Sequence, residues 1–144
     1  VYTGSVVEFD AATWNANAAG LTYPMMTRVP TLNAATPTSA ASLTRAIGTV
    51  TLRVNLVGAQ KSTPTTFDFK VATESTAVAG THYTAITGTG TIPPFSSFGT
   101  VTVTVLNTGV SSATPVDLVL ELIDNTSIKS SKNYAKVGLR IAQL

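Results

Sequence analysis

Thr100-Val101-Thr102-Val103-Thr104-Val105 alternates a polar with an apolar residue without a break, and every member is β-branched. Side chains two residues apart lie on the same side of a pleated strand. The three valines therefore share one surface and the three threonines the other. Both residue types are stiff at χ1 and pack well on a half-buried sheet. The same period recurs in Thr49–Val57, where Val50, Leu52, Val54 and Leu56 face one way and Thr51, Arg53 and Asn55 the other. Phe67, Phe69 and Val71 alternate with Asp68 and Lys70, and Val137, Leu139 and Ile141 with Lys136, Gly138 and Arg140. Val116–Ile123 turns Leu118, Leu120 and Leu122 inward and Asp117 and Glu121 outward. Val119 is apolar on the outward side, which predicts a strand covered partly on both faces.

Shorter strands are predicted at Val6–Phe9 and at Met25–Val29, the latter stopped by Pro30. His82–Ile86 and Thr89–Ile92 flank Thr87-Gly88, a candidate tight turn, and Pro93-Pro94 ends the second of them. Gly58–Thr65 and Asn107–Pro115 read as loops. Asp10–Gly20 fits a short helix, with Asp10 as N-cap and Gly20 as stop, or an irregular loop. Leu32–Ser42 reads as a long surface loop. Phe95–Phe98 is expected to add aromatic bulk to one end of the core. Seven to eight short strands predict an all-β, immunoglobulin-like sandwich of two antiparallel sheets, spanning residues 1–144 as a single domain.

Composition supports this class. Hydrophobic residues make up 44% of the 144 and charged residues only 11%, so Thr, Ser and Asn must supply the polar surface. The net charge of +2 comes with scattered basic residues, not the clustered basic and aromatic pattern of a nucleic-acid binder. Lys129, Lys132, Lys136 and Arg140 form the nearest thing to a cluster and read as a solvated face. There is no cysteine, which excludes disulfides, thiolate metal sites and cysteine nucleophiles. No apolar run approaches membrane-span length. The chain begins at Val1 rather than Met, which reads as a mature or trimmed chain and leaves room upstream for a targeting segment or lipid-bearing cysteine.

The search for chemistry returns little. His82 is the one histidine, and no Gly-x-Ser-x-Gly elbow accompanies it. It reads as a structural, hydrogen-bonded residue after a turn. One histidine cannot make a zinc site, and no Asp-x-Asp-x-Asp-Gly calcium loop is present. No catalytic residue, metal or cofactor is therefore expected. A hydrolase remains as the weaker alternative, since paired carboxylates need only meet in space. Glu8 and Asp10 share one strand face, as do Asp117 and Glu121. Trp14 has two readings: it plugs one end of the sandwich, as the usual burial of tryptophan favours, or with nearby Tyr23 it forms a ligand-binding sugar platform.

A resemblance adds to this. Ser75-Thr76-Ala77-Val78-Ala79-Gly80-Thr81-His82-Tyr83, then Thr91-Ile92-Pro93, Ser96–Gly99 and Val101–Leu106, look like a Calx-beta-type sandwich. In that family a Thr-Ala-x-x-Gly-x-Asp-Tyr turn precedes a Pro-containing strand and a Val-rich strand. Across residues 2–143 the chain more closely resembles an uncharacterised family of Bacteroidetes cell-envelope lipoproteins. Arg28-Val29-Pro30, Leu56-Val57-Gly58-Ala59-Gln60, Leu118-Val119-Leu120-Glu121-Leu122 and Asn133-Tyr134 carry that likeness. It implies an exported accessory lipoprotein of the bacterial envelope, anchored upstream of Val1, at the outer-membrane surface or in the periplasm. Its partner would be a glycan or another envelope protein. A purely structural role through an exposed sheet edge is the alternative. Calcium binding is not carried over, because His82 stands where many Calx-beta domains have Asp, and Asn107-Thr108 where they carry acids.

Overall fold

The computed structural model describes residues 5–31 and 41–144; most of the Leu32–Ser42 loop lies outside them. Two sheets pack face to face. The first runs β6-β3-β1-β8, with β1 at Val6–Phe9, β3 at Thr49–Val57, β6 at Phe98–Thr104 and β8 at Lys129–Ser130. The second runs β2-β9-β7-β4-β5, with β2 at Met25–Met26, β4 at Thr65–Val71, β5 at Thr89–Ile92, β7 at Val116–Ile123 and β9 at Lys136–Ile141. Most successive strands belong to different sheets, which accounts for the many long connections.

Alternation becomes burial as expected. Val50, Leu52, Val54 and Leu56 of β3, with Val7, Phe9, Val101 and Val103, face Phe67, Phe69, Ile92, Leu118, Leu120, Leu122, Val137, Leu139 and Ile141. Each large side chain so enclosed contributes about 1.5–3 kcal/mol of transfer free energy. The outer side of the second sheet carries a smaller cluster, in which Tyr23, Ala72 and Met25 cover Val119. This is the two-sided burial that Val119 predicts. Gly138 permits it, because a Cβ there would lie 2.7 Å from Met25 Sδ and 3.1 Å from a Tyr23 ring carbon.

Several expectations are corrected. The sheets are mixed, not wholly antiparallel: β1 pairs with β8 and β2 with β9 in parallel. Both partners are two-residue pieces set within the connections between longer strands, not arms of hairpins. Met25–Val29 is a strand only at its first two residues. Within His82–Ile86 only Tyr83 forms bridges, to Ala79 and to Val105, and β5 pairs with β4 instead. Asp10 does not cap a helix; it opens a five-residue turn, α1 (Asp10–Trp14), whose N-cap is Phe9 and which ends at Asn15 rather than Gly20. Phe95 and Phe98 do not fill the core: they are 71% and 38% exposed. The turn from Pro93 leaves Phe95 at φ 59°, a left-handed conformation uncommon for a bulky residue, held by its amide bonding to Lys61 O at 2.7 Å.

Candidate functional site

The outer face of the first sheet carries the most organised polar row. Glu8 and Phe98 stand directly across from Asn55 on its two neighbouring strands. Asn55 Nδ2 donates to Asp10 Oδ1 at 3.0 Å and to Glu8 Oε2 at 3.3 Å. Arg53 Nε donates to Asn55 Oδ1 at 3.0 Å, and the Arg53 guanidinium carbon lies 3.8 Å from the centre of the Phe98 ring. At the other end Trp14 Nε1 donates to Asp10 Oδ1 at 3.2 Å. A continuous chain of contacts thus links an indole, two carboxylates, an amide, a guanidinium and a phenyl ring. The stacked guanidinium gains a cation–π attraction and keeps N–H groups to offer. Burial pushes the Glu8 carboxyl above its usual pKa; the Asn55 bond opposes this and the Asp10 charge adds to it.

The local sequence explains each position. β1 ends at Phe9 and the chain coils into α1, which places Asp10 and Trp14 one helical turn apart. The Asp10–Trp14 bond spends the indole N–H inside the protein and leaves the ring 50% exposed. Trp14 is therefore not a core plug. Tyr23 is 4% exposed and packs on the outer side of the other sheet, so the two rings do not form the expected joint platform. Phe98, assigned by sequence to the core, is the aromatic at the opposite end of the row. Its place was legible only in part: β6 alternates strictly, and Phe98 falls on the threonine side.

The remaining candidates are structural. His82 Nδ1 accepts the Val78 amide at 2.9 Å, and the His82 amide returns to Val78 O at 2.9 Å. The imidazole thereby closes the Val78–Tyr83 turn. Glu8 and Asp10 do approach one another through Asn55. However, Asp10 is 2% exposed, leaving no room for water and substrate on both sides of a scissile bond. The basic cluster is largely neutralised: Arg140 forks onto Asp117 at 2.9 and 3.0 Å, Lys136 pairs with Glu74, and Lys129 lies 4.0 Å from Asp124. Among the described residues no group of three or more His, Asp or Glu side chains gathers where it could hold a metal ion. Among the described residues no helix is long and apolar enough to cross a membrane.

No family model matches the chain, and no curated protein does. Solved structures do. A structure of the calcium binding domain CBD12 of CALX1.1 superposes with TM-score 0.57 at 18% identity, covering 69% of this chain and 39% of that one. The apo-form Calx CBD1 domain gives TM-score 0.54 at 19% identity over 68% of this chain and 86% of that one. The Calx CBD2 domain gives 0.50 at 15% identity, covering 70% and 81%. The fold is a Calx-beta-like sandwich. This chain spans well under half of the first of those structures and most of the two single-domain ones.

Proposed function

We propose that this domain is a non-catalytic binding module of the bacterial cell envelope, lipid-anchored upstream of Val1, that holds a glycan on the outer face of its first sheet as an accessory to glycan uptake. One observation carries the reading: a half-exposed Trp14 ring is fixed by its own N–H to a buried carboxylate and stands at one end of a polar row that a second ring closes. Sugars present flat CH faces and rims of hydroxyls. Aromatic rings take the first, and carboxylates, amides and guanidinium groups take the second. Fixing the ring beforehand lowers the entropy lost on binding. The envelope location rests on the lipoprotein resemblance and on a charge-poor, threonine-rich composition.

Affinity electrophoresis in gels containing single neutral polysaccharides, with a glycan array alongside, tests this. The wild-type domain should be retarded by at least one polysaccharide. Trp14→Ala should lose at least tenfold in affinity and Phe98→Ala a smaller factor, both with unchanged near-native unfolding midpoints. Absence of binding across the panel, or binding indifferent to Trp14→Ala, would refute the site.

A further inference from the structure

The two sheets do not close evenly along the side where β5 and β6 run. At one end they touch: a Cβ on Gly99 would lie 2.5 Å from Thr91 O. At the other end His82–Thr84 adds briefly to β6. Thr84 N–H donates to Thr104 O and Leu106 N–H to His82 O, each at 2.9 Å. The chain then leaves through Ala85–Thr87, and Gly88 O accepts the Phe69 amide at 2.8 Å on the second sheet. Between the departing segment and β6 lies a slot of about 200 Å³, bordered by Phe69, Ile86, Thr87, Thr100, Val101 and Thr102.

Register shows what the slot offers. Leu56 N–H bonds Ser97 O and Val105 N–H bonds Gly48 O, each at 2.8 Å. In an antiparallel ladder this alternation turns the backbone groups of Gly99, Val101 and Val103 toward β3. The amides and carbonyls of Thr100 and Thr102 then point the other way, into the slot. β6 has no strand neighbour there among the described residues. Thr104 shows the use of such a group, since its carbonyl takes the Thr84 amide. Donors and acceptors alternating at strand spacing are complementary to an extended polypeptide and to little else.

We propose that this slot is a strand-addition site for a short, uncharged, extended segment of a partner protein. This goes beyond the glycan reading, because it uses the edge of β6 rather than the outer face. The reach from Gly99 to Thr104 is about 17 Å at the usual rise per residue, so about five residues fit. None of the described residues that border the slot is charged, so a charged segment would find no ion-pair partner there. Phe69, Ile86 and Val101 favour small or β-branched apolar residues at the inward positions. A second copy of this chain fits poorly. Two-fold pairing of Thr100 with Thr102 of the second copy would bring that copy's Phe98 to the place beside Thr104 that Thr84 already fills.

The test is a titration of the ¹⁵N-labelled domain with acetylated, amidated Thr-Val-Thr-Val-Thr and Ser-Ala-Ser-Ala-Ser pentapeptides, read by amide shifts and hydrogen exchange. In the free protein the Thr100 and Thr102 amides should exchange much faster than those of Val101 and Val103. Saturating peptide should slow the two threonine amides at least tenfold and leave the valines unchanged. Thr102→Pro removes an outward N–H while sparing the ladder to β3, and should weaken binding at least tenfold; Thr102→Ala should not. Peptides N-methylated at alternate residues should fail to bind wild-type protein, a control that does not depend on how the proline variant folds. Three results would overturn the proposal: no protection of Thr100 and Thr102, equal affinity for the N-methylated peptides, or peptide-free protection that rises with protein concentration as the domain dimerises.

Discussion

Gly90→Ala adds one methyl group to the inner side of the second sheet. Gly90 lies directly opposite Phe67 in the β4–β5 pair. A Cβ there would sit 2.3 Å from Phe67 Cζ, 2.7 Å from Cε1 and 2.9 Å from Cε2. Carbon atoms prefer about 3.5–4.0 Å, so the ring would have to retreat by about 1 Å or more. It has little freedom to do so, being fully buried with the Phe69 ring 6.3 Å away. Overpacking of this kind costs about 1–3 kcal/mol. Alanine returns about 0.4–1 kcal/mol by restricting the unfolded chain, since Gly90 does not occupy a left-handed conformation. The net expectation is a loss of about 1–2 kcal/mol, or about 3–8 °C in Tm for a chain of this size. Urea unfolding followed by circular dichroism would measure it. Phe67→Leu removes the clashing ring atoms, so the double variant should be more stable than the sum of the two single losses by about 1 kcal/mol. A Gly90→Ala protein as stable as wild type, or losses that simply add, would refute this account of the packing.

Two predictions concern pH. The Glu8 carboxyl titrates above its usual value of 4.5, chiefly through burial, so ionising it weakens the fold as pH rises through the shifted value. Glu8→Gln should therefore unfold at higher urea than wild type at pH 7, with the gap closing below about pH 4; a less stable variant at neutral pH would contradict this. Asp124 shows the opposite sign. Its Oδ1 accepts the Ser130 amide at 2.8 Å and hydroxyl at 2.9 Å, and the backbone bond is the main cause that holds its pKa below the usual 3.8. Asp124→Asn should be less stable than wild type near neutrality. The two should converge as acid protonates Asp124 in the folded protein, and a pH-independent gap would show that the charge is not what matters.

Alternation alone identified β3, β4, β6, β7 and β9 close to their observed limits, because burying one face of a strand imposes a period of two on its residues. Val119 even disclosed the second small core. Glu8 with Asp10, and Arg53 with Asn55, could each be seen to share a strand face. That these two pairs belong to one site could not, since β1 and β3 are separated by about forty residues and their register is a tertiary fact. His82–Ile86 illustrates a different failure. The segment alternates well enough for a strand, but Tyr83 alone finds a partner before Gly88, at φ 79°, turns the chain to the other sheet.

Local patterning was thus sufficient to say that this chain is a β-sandwich and which side chains of its alternating runs are dry, while Tyr23, Phe95 and Phe98, outside those runs, were misplaced. It could not say which strands lie side by side, because pairing depends on where each long connection lands. Folding alone put Trp14 on one outer face and Tyr23 on the other, drew Phe98 out of the core to stack beneath Arg53, and left the backbone of Thr100 and Thr102 without a strand neighbour among the described residues. Burial is written residue by residue along the chain, whereas a surface site is assembled from whatever distant residues the core brings level.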